Sequence, residues 1–231
     1  MAFGTRYGDP AAMSILRRFD LMTIVGLLLT ACAGNPPADW QVNAKDSLDG
    51  AIEAYLGGNS RLAARQFVRG KSEVARTGGL PLAARIELLN CAAHVASLDF
   101  DDCPAYQSLA QDAAPTEQAY FRYLTGQTQR ADWSLLPLAA REVSASMTPE
   151  LALAAIADPF SRLVAAGVLM RRGQASDGVI ATAVDSASAQ GWRRPLLAWL
   201  KIQHLRALAR GATDEAARLQ RRIKLVTGDF F

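Results

Sequence analysis

The sequence predicts an all-α fold of antiparallel helix pairs, and three observations lead there. Apolar residues recur at three- and four-residue spacing along most of the chain beyond residue 45, with no sustained alternation of the kind a half-buried strand shows. Helix starts are marked by a capping residue followed by proline, and single glycines follow the periodic runs, where a left-handed residue closes a helix. Half of the residues are hydrophobic and 20% are charged, a balance that suits a sizeable core in one domain.

Taken in order, Leu48, Ile52, Tyr55 and Leu56 give the first helical stripe, and Asp46 is placed to cap it. Ala63, Phe67, Gly70 and Val74 give the second, ended by Gly78-Gly79. Pro81 opens the third, whose stripe is Leu82, Ile86, Leu89, Ala93 and Ala96. Thr148-Pro149-Glu150 and Asp158-Pro159-Phe160 read as an N-cap followed by proline at the first helical position. Gly57, Gly126, Gly173, Gly191 and Gly211 follow helical runs. The run Leu196 to Leu205 is apolar on most sides, which predicts a central, buried helix. Ala216, Leu219, Ile223 and Val226 carry the last stripe. Roughly ten helices of about 10–16 residues result, joined by short turns.

A small residue lies five positions after a turn glycine in Gly58…Ala63, Gly126…Ala131, Gly173…Gly178 and Gly211…Ala216. The first two glycines are 68 residues apart and the last two 38, against a period of about 34 in tetratricopeptide repeats. Ala63 with Phe67 resembles the small and aromatic positions of the second helix in that repeat. No matching Trp-Leu-Gly-Tyr set marks the first helices. The chain is therefore similar to a tetratricopeptide array, and an irregular helical bundle stays open beside it. Either arrangement buries one face of each helix pair and exposes a broad groove.

The N-terminus has a different character. Arg17-Arg18 precede the apolar run Leu21–Leu29, which leads into Thr30-Ala31-Cys32. A basic segment, a short apolar segment and small residues form the layout of a secretory signal. The run rises only about 14 Å as a helix, against a bilayer core of about 30 Å. Leu29-Thr30-Ala31-Cys32 resembles the bacterial lipobox. That resemblance implies cleavage after Ala31, lipidation of Cys32 and anchoring by several acyl chains. Ala33, in place of an aspartate after the cysteine, implies outer-membrane delivery by analogy with enteric lipoproteins. The chain then divides into a signal (1–31), a lipidated cysteine with an extended tether (32–45) and a helical domain (46–231). Pro36-Pro37 favours extended backbone in the tether.

Charge is unevenly spread. Residues 190–231 carry nine Lys/Arg against three Asp/Glu, whereas residues 32–189 carry 13 against 17. Such asymmetry suits either an anionic partner or a solvated basic helix face. Export places the mature cysteines in an oxidising compartment. Cys91 lies in a helical run ending near Asp99, and Cys103 follows just before Pro104. A disulfide between them would clip a helix end to the next connection, contributing about 2–3 kcal/mol.

Groups suited to catalysis are sparse. The two histidines, His94 and His204, stand in no zinc-binding spacing. There is no GxSxG elbow and no phosphate-binding glycine loop; Arg171-Arg172-Gly173 reads as a helix end. Asp99-Phe100-Asp101-Asp102 lacks the glycine and terminal glutamate of a calcium loop. No metal or cofactor is expected from these patterns, and nothing points to nucleic acid. Recognition is better represented, because aromatic and arginine side chains often anchor interfaces. Tyr120 and Tyr123 lie on an aromatic-rich helix. Trp192, Arg193 and Arg194 place an aromatic beside two cations at a helix start, suited to a carboxylate, a phosphate or an acidic peptide. The function expected is that of an outer-membrane-anchored, periplasm-facing scaffold without catalytic activity, binding protein partners in envelope machinery. Lipoproteins with similar repeats serve pilus or secretion systems, outer-membrane assembly and cell-wall synthesis. The alternatives are a cell-wall hydrolase or lyase with scattered carboxylates, Glu142 and Glu150 among them, and a lipoprotein that binds anionic glycan through the basic C-terminal helices.

Overall fold

A computed structural model of the protein describes residues 36–229. The chain divides into two units at Ala38/Asp39. Of the first, only residues 36–38 are described, and they are not helical. The second is all-α among the described residues, with eleven α-helices, two 3₁₀ segments and no strand.

Helix α1 (Asp39–Leu56) and α2 (Ser60–Ala75) form the first antiparallel hairpin. It turns on Gly58, whose φ of +95° only glycine adopts cheaply, and on Asn59, whose side chain accepts a hydrogen bond from the Leu62 N–H at 3.1 Å. α1 buries Ala44, Leu48, Ala51, Ile52 and Leu56, and α2 buries Ala63, Phe67, Gly70 and Val74. Gly70 lets the two helices approach closely: a Cβ there would lie 2.8 Å from Leu48 Cγ.

α1 begins at Asp39, seven residues before the cap expected at Asp46, so residues 39–45 belong to the helix and not to a tether. Trp40, Ala44 and Leu48 continue the four-residue spacing, and Trp40 packs against the cluster around Ala44, Phe67 and Val74. Asp39 in the first turn complements the helix dipole. Burial of this stripe outweighs the weak helix preference of Trp and Asn in the segment.

α3 (Leu80–Ala96) opens with proline in its first turn and runs through the middle of the domain. It is packed by α1, α2, α5 (Pro115–Leu124) and α8 (Pro159–Arg171). In α8 every residue from Leu163 to Leu169 is buried. The two helices meet at Gly167, where an added Cβ would run into the Val95 carbonyl.

The chain between α3 and α8 is broken into short pieces: α4 (Pro104–Gln107), α5, α6 (Leu138–Ala145), α7 (Pro149–Ala155) and 3₁₀ segments at Ala110–Asp112 and Arg130–Leu135. Prolines 104, 115, 137, 149 and 159 sit at or just before these starts and prevent longer helices. The second glycine-and-small pair, Gly126…Ala131, leads into the 3₁₀ segment, with Ala131 exposed, and starts no second helix of a pair.

α9 (Asp177–Gln190), α10 (Arg193–Ala209) and α11 (Thr213–Thr227) complete the fold as successive antiparallel neighbours. The run from Leu196 to Leu205 is not the central helix. α10 buries Pro195, Leu196, Trp199, Leu200 and Ala207, while Leu205 and Leu208 are 59% and 53% exposed. α1, α9 and α11 cover one side of it. The centre belongs to α3 and α8, whose small residues allow close approach. Trp199 ties the two regions together, its indole N–H donating to the Ala96 carbonyl at 3.1 Å.

Candidate functional site

A groove of about 870 Å³ opens between α1, α3, α5 and the segment Leu135–Pro137. Its size lies within the ~300–1,000 Å³ typical of ligand pockets. Leu48 of α1, Ile86 and Leu89 of α3 and Tyr120 of α5 line it, with Trp40 and Leu135 among its outer residues. The sequence periodicity requires these apolar positions. They face one another because α3, packed on both sides, leaves its N-terminal half covered only partly by α1 and α5.

The charges on the groove are paired within it. Arg85 donates to Glu117 Oε1 at 2.7 Å, joining α3 to α5, and Thr116 donates to Glu117 Oε2 at 2.8 Å. Burial pushes the Glu117 carboxyl up, but the bonds from Thr116 and Arg85 outweigh it and hold the group below the usual carboxylate range. Lys45 and Asp49 pair along α1. The groove therefore offers apolar surface with little uncompensated charge, which suits an apolar helix face or extended segment.

Among the residues singled out from sequence, Tyr120 lines this groove and stacks on Tyr123, ring centroids 5.8 Å apart. Tyr123 is itself buried, on the other side of α5. The segment Trp192–Arg194 lies elsewhere, at the start of α10. Trp192 is buried and its indole N–H donates to Glu53 at 2.9 Å. Arg194 donates to the Tyr55 carbonyl at 2.7 Å and to Ser60 Oγ at 2.6 Å, and its guanidinium lies 4.2 Å from the centroid of the Tyr55 ring. These contacts bind the last third of the chain to the first hairpin. Arg193 is exposed. Trp40, Leu82 and Leu135 also line the groove, and no sequence motif marks them as doing so. The Trp40–Ala44–Leu48 spacing was the available signal.

The disulfide Cys91–Cys103 is present, with a Cα–Cα distance of 5.3 Å. It closes a tight loop in which Leu98, Asp102 and Cys103 all have positive φ, conformations that non-glycine residues adopt at a cost. Asp102 pairs with Arg171, and Asp99 Oδ2 lies 3.0 Å from His94 Nδ1. His94 stacks on Tyr55 at 4.6 Å. Burial and Asp99 push the Tyr55 hydroxyl up to about 12. His204 Nδ1 lies 3.0 Å from the Ala216 carbonyl, bridging α10 and α11. Glu150 accepts from Ser176 Oγ, and Glu142 is exposed.

The signal segment, Leu29-Thr30-Ala31-Cys32 and the first residues after it lie outside the described residues, as do Phe230 and Phe231. No described helix is long and apolar enough to cross a membrane. Comparison with known proteins finds no matching family model, no matching curated protein and no matching solved structure.

Proposed function

We propose that the protein is a lipid-anchored envelope component, held at the outer membrane through Cys32 and facing the periplasm, that binds an apolar segment of a protein partner without catalysing a reaction. The observation that carries this reading is the large apolar groove between α1, α3 and α5, with its charges already paired. The tetratricopeptide-like reading supports it through three helix pairs that turn on a left-handed glycine: α1–α2 at Gly58, α8–α9 at Gly173 and α10–α11 at Gly211. Work in pilus or secretion systems, outer-membrane assembly or cell-wall synthesis fits a binding module of this kind.

A test uses Leu82→Glu with Leu135→Glu, both at partly exposed groove positions. The double variant should fold normally yet lose its co-purifying envelope partner. Retention of that partner at wild-type stoichiometry would remove the groove from the account. A second reading, binding of an anionic glycan, draws on Arg218, Arg221, Arg222 and Lys224 of α11, which make no ion pair among the described residues. Salt-sensitive binding that is lost on charge reversal of these residues would favour it.

A further inference from the structure

The last hairpin, α10–α11, holds nine Lys/Arg against two Asp/Glu over residues 193–227. Three of these cations are used inside the fold. Arg194 donates to the Tyr55 carbonyl and to Ser60, and Arg206 and Arg210 both pair with Asp177. The side chains of the other six, Arg193, Lys201, Arg218, Arg221, Arg222 and Lys224, make no ion pair and no hydrogen bond among the described residues. Five of the six are exposed, and Arg222 is half-buried. Glu215 faces Arg210, so Asp214 is the one carboxylate of the hairpin left to offset them.

Leucines are exposed among these cations. Leu205 and Leu208 of α10 are each more than half exposed. Lys201, Leu205 and Leu208 fall at i, i+4 and i+7, which places them on one stripe of α10. His204 adjoins that stripe and lies 3.0 Å from the Ala216 carbonyl, so the stripe runs alongside α11. Ala217, Arg221 and Lys224 repeat the same spacing on α11, away from its buried Ala216, Leu219 and Ile223. The two stripes together present apolar side chains bordered by cations. Such a surface complements a partner that is anionic and apolar at once. A phospholipid bilayer has both properties, with phosphates lying just outside the acyl boundary. Lys and Arg can lay their stems along that boundary and keep their heads among the phosphates. A soluble anionic glycan would engage the cations and leave the leucines in water.

We propose that the exposed side of the α10–α11 hairpin docks on an anionic phospholipid surface. Lys201, Arg221 and Lys224 meet the headgroup phosphates, and Leu205 and Leu208 enter the acyl boundary. The docking surface is separate from the apolar groove, and it depends neither on what the groove binds nor on a lipid at Cys32.

The test is co-sedimentation of the full-length chain with vesicles, Cys32→Ser being present in every sample so that acyl chains contribute nothing. One set of vesicles is phosphatidylcholine alone, and the other is an equimolar mixture with phosphatidylglycerol. Binding should rise on the anionic vesicles and fall steeply with added salt. Arg221→Glu with Lys224→Glu should weaken that gain about thirtyfold or more, at about fivefold for each cation withdrawn. Leu205→Ser with Leu208→Ser should weaken it about fivefold or more, through lost apolar contact. Both pairs replace exposed side chains and should melt as the parent chain does. The N-terminal segment is the same in all samples, so a difference between variants belongs to the hairpin. No gain from phosphatidylglycerol would overturn the proposal, as would a gain that the charge reversal leaves intact. Anionic-vesicle binding that the leucine pair does not weaken would also overturn it, because the surface would then be purely electrostatic, as a soluble anionic glycan requires.

Discussion

Arg194 and its neighbour Arg193 differ only in what surrounds them, and that difference decides their roles. Arg194 reaches the Tyr55 carbonyl, Ser60 and the face of the Tyr55 ring. Arg194→Ala should therefore lower unfolding stability by about 1.5–3 kcal/mol in urea titration, in line with a charged hydrogen bond left unmade. Arg193→Ala should stay within about 0.5 kcal/mol. The sequence singles out Trp192-Arg193-Arg194 as a unit, because aromatic and cationic residues adjoin there. It does not reveal that α1 passes close enough to take Trp192 and Arg194 into internal bonds. Contacts across some 139 residues of chain leave no local pattern.

Asp132 makes the same point through pH. Two hydrogen bonds from Arg122 Nε, at 3.0 and 3.2 Å, hold its carboxyl below the usual range; burial opposes them and the Gln129 N–H at 2.9 Å adds to them. A carboxylate with a depressed folded-state pKa contributes stability that is fully present above its unfolded value. That stability is lost as pH falls through the folded value. Wild type should thus lose stability as pH falls below about 4, the ordinary aspartate range. Asp132→Asn should be less stable at neutral pH and show a shallower loss on acidification, as measured by thermal melts across that window.

At the level of elements, the periodic stripes and the proline and glycine punctuation were enough to identify the long helices. α2, α3, α8 and α11 begin or end close to where Gly78-Gly79, Pro81, Asp158-Pro159 and Gly211 place them. Two things were not legible. The apolar run of α10 suggested the central helix, but burial depends on how many neighbours surround a helix, and α3 and α8 meet because Gly167 permits it. Gly167→Ala would press a methyl group against the Val95 carbonyl; it should cost about 1–3 kcal/mol by forcing the helices apart, seen as a lower urea midpoint. The disulfide, by contrast, could be anticipated from Cys91 and Cys103 because their separation of 12 residues spans one helix end and one loop. Reduction with dithiothreitol should lower stability by about 2–3 kcal/mol and release a loop held at three positive-φ residues.

For the whole molecule, the groove emerges only when α1, α3 and α5 are assembled, and no short motif announces it. Trp40 was hidden within a segment that Pro36-Pro37 made look extended. On the proposed lipid anchoring, Cys32→Ser should abolish palmitate labelling and shift the protein from the membrane to the soluble fraction, with the fold of residues 39–229 unchanged.

The central claim, that the groove receives a protein partner in the envelope, is tested most directly by site-specific photo-cross-linking in living cells. A photoreactive residue would replace Leu135, at the groove, and in parallel Ala217, exposed on α11 and outside it. The account predicts one dominant cross-linked envelope protein from position 135, absent from position 217, and lost when Leu82→Glu is added. The same products from both positions, or a product from 135 that Leu82→Glu leaves intact, would contradict it.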